Sequence, residues 1–351
     1  MTRARTERTR RIPPSLALPV GGAALLLAVV VGIGTGPIGL DPRTVLAVLG
    51  HELLGIGAGR DALETTVVMQ LRLPRVLFGV LTGAALAVSG ASLQSLFRNP
   101  LADPGIIGVS AGATTGAVAA IVLLPPLTSA LLAWALPAAA MAGGFLATGL
   151  IYLLARPAAG GGTSRLLLVG IAIGSAFAAV TGFLTFAADD DELETVVFWQ
   201  MGSLGSIDAL RLALATGPVL AGIVVLVLLS RRLDLLTLGE RQARHLGLDV
   251  NATRRLVIVI TAVLTGASVA FAGTIGFIGL VVPHIVRLLC GPGHRALLPV
   301  SAVLGALLIV VADTLARIVA PPAEVPIGLF TAAIGAPFFL LLVLRSRAVH
   351  G

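Results

Sequence analysis

The sequence predicts an all-α polytopic membrane protein with about ten transmembrane helices. Three observations carry this. Apolar residues make up 57% of the 351 positions and charged residues only 12%, a balance outside the range of soluble domains. The apolar residues gather into separate runs, most near the ~20 residues needed to cross a hydrocarbon core. All 24 basic residues are arginine, and they cluster between those runs or close to their ends. That placement separates the +7 net charge from the basic face of a nucleic-acid binder and gives it the look of a sided membrane protein.

The chain opens on a basic tail, residues 1–15, with Arg3, Arg5, Arg8, Arg10 and Arg11 against Glu7. Residues 16–345 form one transmembrane domain, and 346–351 a second short tail. The first apolar run, 16–35, is followed by no clear small-residue cleavage site, so it reads as a span and not a signal peptide. Residues 36–71 are mixed and read as a long loop. Further runs lie near 73–93, 105–125, 128–155, 166–188, 209–230, 255–272, 275–290, 296–319 and 327–344. With both termini on one side, 18 arginines share that side and 6 lie opposite. The positive-inside bias then makes both termini cytoplasmic.

An internal repeat is expected. Thr82–Gly90 and Thr265–Gly273 agree at five of nine positions, and opposite directions through the membrane suggest inverted halves, about 72–188 and 254–345.

The residue inventory excludes several chemistries. With Cys290 as the only cysteine, neither a disulfide nor a thiolate metal cage forms within one chain. Without lysine there is no P-loop cation and no Schiff-base amine, so ATP, if used, is hydrolysed by another subunit. The five histidines make no HExxH pair, and no Ser/His/Asp arrangement is legible. His284, after Pro283, reads as a packing residue. Charged groups inside spans mark function by default, and here Asp313 and Arg317, at i, i+4, are a candidate pair. The acidic stretch Asp189–Glu194 reads as a solvated loop, with Trp199 beyond it as an interfacial anchor.

The stretch from about 233 to 250 is the longest polar run after the N-terminus. Gly239 and Gly247 bracket a two-turn helix, with Arg241, Arg244 and His245 on one face and Leu235, Leu238 and Leu246 supplying an apolar side. An amphipathic helix between spans suits a protein surface at the membrane face. Two further loops, Phe97–Gly105 and Gly160–Arg165, carry Pro and Gly that permit sharp turns and suit a movable constriction. From the residues alone, an ion-coupled secondary transporter remains a rival class.

Seven motifs taken in order resemble the FecCD-type permeases of ABC importers for iron-siderophores, haem and vitamin B12. They are LRLPR (71–75), GAALAVSG (83–90), FRNPLADPGIIGVSAGA (97–113), TSRLLLVG (163–170), LGERQARHLG (238–247), GTIGFIGLVVPHIVRL (273–288) and VPIGLFTAAIGAPFF (325–339). The resemblance implies a vitamin B12-importer-like permease fold and a homodimer in the bacterial inner membrane. The path would run between subunits, lined by the fifth and tenth spans. Two ATPase subunits would dock on the cytoplasmic face and carry ATP and Mg, and a substrate-binding protein would dock outside; no cofactor would be held by this chain. It implies binding-protein docking for Arg72, Arg75 and Arg317, whose planar guanidinium suits partner carboxylates. Gly239, Glu240, Arg241, Ala243, Arg244, His245 and Gly247 would form the coupling helix in the ATPase cleft. Asn99 and Leu101 would form one cytoplasmic gate loop, Thr163 and Ser164 the other. The FWQMGSL segment, 198–204, resembles haem-type members, ahead of ferric siderophore and vitamin B12.

Overall fold

The computed structural model describes residues 11–347 apart from 58, 60, 125–128, 156–162 and 322, and the described residues contain helices and turns without a strand. Helix α1 (Pro14–Gly34) starts on a proline, whose missing N–H is one the first turn would leave unbonded anyway. Residues 36–71, expected as a loop, are largely helical. Helix α2 (Pro42–Leu54) begins at Asp41, which accepts the Arg43 N–H at 2.7 Å, and ends on Gly55 in the left-handed region. Its Val45 and Val48 are buried with Ile33 of α1 and with Val68, Val76 and Val310. So narrow an apolar stripe on a short helix leaves no run of spanning length, which is why it passes for a loop.

Helix α3 (Ala62–Thr66) continues through a π-helical stretch, Val67–Arg72, into α4 (Leu73–Phe97). Pro74 explains the widened turn. Its ring collides with the carbonyl four residues back, and the Leu73 N–H reaches Val68 O, five residues back, instead. Both arginines of LRLPR leave this stretch buried.

The chain continues through α5 (Val109–Leu123), α6 (Ser129–Leu154), α7 (Thr163–Ala187), α8 (Asp190–Met201), α9 (Ala209–Leu228), α10 (Ser230–Thr237) and α11 (Glu240–His245). It closes with α12 (Val250–Ala272), α13 (Ile278–Cys290), α14 (His294–Ile318) and α15 (Ile327–Arg347). Seven of the described helices are long and apolar enough to cross a membrane, and α5, α13 and α15 add three shorter apolar segments. These ten correspond to the ten apolar runs of the sequence. The acidic stretch is no loop: it starts α8. Asp189 accepts the Glu192 N–H at 2.8 Å, and Glu192 accepts the Asp189 N–H at 3.0 Å. This capping box also sets negative charge at the positive end of the helix.

Helix α4 is the axis. It packs against α9, α12, α13 and α14, and every residue from Thr82 to Phe97 is buried. Glycine makes this possible. A Cβ on Gly83 would lie 2.2 Å from Gly305 O of α14, and one on Gly90 1.9 Å from Gly279 O of α13. Backbones in contact gain dispersion along the helix, the means of association left when lipid tails are as apolar as the core.

Helix lengths recur along the chain. α4, α5, α6 and α7 have 25, 15, 26 and 25 residues; α12, α13, α14 and α15 have 23, 13, 25 and 21. Both short helices start from a left-handed residue, Gly108 (φ 79°) and Phe277 (φ 68°). The matching nonapeptides are not in register with this pattern. Thr82–Gly90 lies in the middle of α4, whereas Thr265–Gly273 ends α12 on the Gly273 cap.

Gly90→Ala is expected to cost more than about 3 kcal/mol, because a methyl group meets backbone and no rotamer change relieves it. Gly217→Ala in α9, where nothing lies within 4 Å, should stay within about 1 kcal/mol. Thermal unfolding of the purified proteins in detergent tests the contrast.

Candidate transport sites at the two ends of the bundle

One end of the bundle carries a buried charge cluster. Arg75 Nη2 lies 2.9 Å from Asp313 Oδ1 of α14, and Arg75 Nη1 donates to both Glu324 oxygens at 2.7 and 2.8 Å. Arg317 Nε lies 3.1 Å from Asp313 Oδ2, one turn away, as the i, i+4 spacing suggested. Arg317 also donates to Thr35 O at 2.7 Å and Gly32 O at 2.9 Å. Arg72 donates to Ile33 O and Gly34 O, each at 2.9 Å, and to Ile38 O. The carbonyls of Gly32, Ile33 and Gly34 end α1 and have no partner within that helix. The arginines satisfy them and tie α1 to α4 and α14.

All three arginines expected to face a docking partner are therefore turned inward: Arg72 is 6% exposed, Arg75 8% and Arg317 4%. The reason is local. The end of α1 offers Arg72 and Arg317 carbonyl acceptors, and Asp313 and Glu324 offer carboxylates, all within the chain itself. Of their charged partners only Glu324 is substantially exposed, with 36% of its side chain accessible.

A cleft of about 1000 Å³ opens at this end, lined in part by Phe198, Trp199, Ser206, Arg211, Phe271 and Glu324. The Arg211 guanidinium sits 5.7 Å from the Trp134 ring centroid. The FWQMGSL segment forms one wall and is locked by backbone. Ser203 N–H donates to Ala272 O at 2.8 Å, Ile327 N–H to Gly202 O at 3.0 Å, and Thr274 Oγ1 to Gln200 O at 2.5 Å. The segment thus joins the α8 terminus to the α12–α13 break and the start of α15.

The opposite end carries α10 and α11. Gly239 precedes α11 at φ 106°, a backbone state that admits glycine. Glu240 pairs with Arg254 of α12 and, at 3.6 Å, with Arg244. Ala243 is fully buried, while Arg241, Arg244, His245 and Gly247 are exposed. Leu238 and Leu246 are exposed too, at 56% and 60%. Leu235 is half-buried against the core. The predicted amphipathic helix exists, but its buried side is Ala243, and two of its leucines face outward beside the basic residues.

The loop after α4 lies at the same end. Arg98 is left-handed, with φ 49°. Asn99 Oδ1 accepts the Leu101 N–H at 2.9 Å, and Leu101 is exposed. Asp103 Oδ1 accepts the Gly105 N–H at 2.8 Å. Burial pushes the Asp103 carboxyl above the usual carboxylate range, against the opposing pull of that N–H. α7 begins at Thr163; the side chains of Thr163 and Ser164, and the Gly160–Gly162 loop before them, lie outside the described residues.

One constellation escaped the sequence reading. Asp234 Oδ1 lies 2.6 Å from His294 Nδ1 and accepts the His294 backbone N–H at 3.0 Å; His294 Nε2 lies 2.5 Å from Ser95 Oγ. The three residues stand on α10, α14 and α4, so no spacing along the chain announces them. Nearby, Gln94 Nε2 donates to Gly279 O at 3.1 Å, and Gln94 Oε1 accepts from Arg287.

Asp313→Asn is expected to destabilise the fold by about 3–5 kcal/mol, because two buried guanidiniums lose their shared counter-charge. Glu324→Gln, at the exposed rim, should cost about 1 kcal/mol or less. Unfolding midpoints of the two variants in one detergent give the comparison.

A model of the FecCD transport family matches residues 24–345. The hemin transport system permease protein of Yersinia pestis is 41% identical over 338 residues, covering 96% of this chain and 98% of its own. The cobalamin import system permease protein of Halobacterium salinarum is 42% identical, over 95% of this chain and 87% of its own. The vitamin B12 import system permease protein of Klebsiella pneumoniae is 44% identical, over 85% and 88%. A solved structure described as an inward-facing conformation of a metal-chelate type ABC transporter superposes with a TM-score of 0.81 at 32% identity, over 94% of this chain and 99% of that one. The helical bundle, its order of elements and these matches agree from end to end: the chain belongs to the FecCD transport family and is a permease subunit of an ABC importer.

Proposed function

We propose that this permease carries a metal tetrapyrrole, haem in the first place, inward across the bacterial cytoplasmic membrane. The observation that carries haem is the hemin permease relative, similar over nearly all of both chains. The FWQMGSL wall adds support, since Phe198, Trp199 and Phe271 give the cleft flat apolar surfaces suited to a macrocycle. Cobalamin is the second reading, favoured by relatives of equal similarity. Both cargoes hold a metal in a macrocycle, but cobalamin carries axial ligands and a nucleotide loop on its corrin, so flat apolar walls favour the planar haem.

In this reading the α11 end faces the cytoplasm, in line with the arginine bias, and both termini lie there. Two ATPase subunits dock on a permease homodimer. Leu238 and Leu246 enter the ATPase cleft as apolar anchors, with Arg241, Arg244 and His245 around them. The second permease copy packs along α7 and α15, whose Ile171, Phe183, Phe186 and Leu340 are exposed, and the path runs between the copies. Asn99, Leu101, Thr163 and Ser164 form the inner constriction. A substrate-binding protein docks at the Arg75 end. Of the three arginines, Arg75 is the one it engages, by replacing Glu324 with its own carboxylate.

Proteoliposomes holding the permease, its ATPase and its binding protein test the cargo. ATP-dependent uptake of haem without uptake of cobalamin is the expected result. Uptake of cobalamin alone moves the cargo assignment, and uptake of a ferric siderophore alone removes the tetrapyrrole reading. Arg244→Glu is expected to lower uptake about tenfold or more while the permease folds normally, since its site is exposed. Uptake at the unmutated rate would remove α11 from the ATPase interface.

A further inference from the structure

We infer that Asp234, His294 and Ser95 form a polar strut that carries movement of the α10–α11 segment into α4. The inference rests on the reading of α11 as the ATPase contact. Three elements meet at this point. Asp234 stands on α10, the helix leading directly into α11, and 45% of its side chain is accessible. His294 begins α14 and is 1% exposed; Ser95 lies in the last turn of α4 and is 4% exposed.

The geometry is that of a brace and not of a reactive centre. Asp234 Oδ1 receives two N–H groups of one residue, the His294 ring Nδ1 at 2.6 Å and backbone at 3.0 Å. This two-point grip fixes the imidazole plane, and a single contact would leave it free to pivot. The other ring nitrogen meets Ser95 Oγ at 2.5 Å, and Ser95 Oγ lies 3.0 Å from Ala91 O of its own helix. The hydroxyl is thereby held between an imidazole and a carbonyl, with none of the described clefts reaching it. A Ser–His–Asp line so enclosed has no place for a substrate, so nucleophilic chemistry is not its role.

A second contact runs parallel to it. A Cβ on Gly239, at the start of α11, would lie 3.4 Å from Arg98 Nη1, so the residue capping α4 overlies the entry to α11. The α10–α11 segment thus meets α4 at Ser95 through the strut, with the Arg98 guanidinium lying close to Gly239. Asn99 and Leu101 follow at once. On the core side Gln94 pins the same turn to α13. A push on α11 therefore reaches the loop after α4 through directional bonds across a short distance. Packed interfaces shift between discrete arrangements and do not deform continuously, so loss of the strut should disconnect the two movements without dissolving either.

The test uses the whole reconstituted importer and reads cargo transported per ATP hydrolysed. Ser95→Ala and Asp234→Leu are expected to lower that ratio roughly tenfold, inside the span usual for coupling between sites. ATPase binding and hydrolysis should stay within about twofold of the unmutated complex. Asp234→Asn keeps an oxygen acceptor for both N–H groups and should recover most of the coupling, which loss of stability alone would not predict. If Asp234→Leu fails to assemble, Ser95→Ala and Asp234→Asn decide. Unmutated coupling in Ser95→Ala, in an assembled complex, overturns the strut. Absence of ATP-driven uptake in the unmutated complex overturns the function reading instead, so the two failures are told apart.

Discussion

The fold depends on one helix having no lipid-facing side over most of its length. Residues 82–97 of α4 are buried without a break, so their packing comes from protein on all sides. Between apolar helices in lipid no hydrophobic gain remains, and attraction comes from close contact and from satisfied polar groups. Gly83 against Gly305 and Gly90 against Gly279 bring backbones together. The other helices take their positions from this axis: α14 and α13 through the glycine contacts, α12 and α9 on its remaining faces, and α5 with α6 beyond α12.

Polar chemistry is placed at the two ends of that axis. At one end Arg75 joins α4 to Asp313 and Glu324; at the other, Ser95 and Gln94 join it to α14 and α13. Directional bonds at both ends and close packing along its length hold α4 in place. Between these ends α4 carries small and apolar residues, with Thr82, Ser89 and Ser92 as its polar side chains.

Much of this was legible beforehand. The apolar runs marked the ten membrane segments, because the hydrocarbon core imposes one length and one composition on whatever crosses it. Gly239 and Gly247 marked the short helix between spans. The i, i+4 spacing marked the Asp313–Arg317 pair. The region before α4 was misjudged because α2 and α3 are short and carry charge, and the acidic start of α8 was misjudged because a capping box and a solvated loop draw on the same residues.

The sequence by itself determined the class, the number of spans and the family, since each rests on composition or on order along the chain. Only the tertiary structure decided where the charges point. Arg75 meets Glu324 across 249 positions, and Ser95 meets His294 across 199. A guanidinium near the end of a span serves an outside partner or the fold itself with the same residue and the same spacing. The choice is made by which acceptors lie within about 3 Å once the helices have packed, and no pattern local to the chain contains that distance.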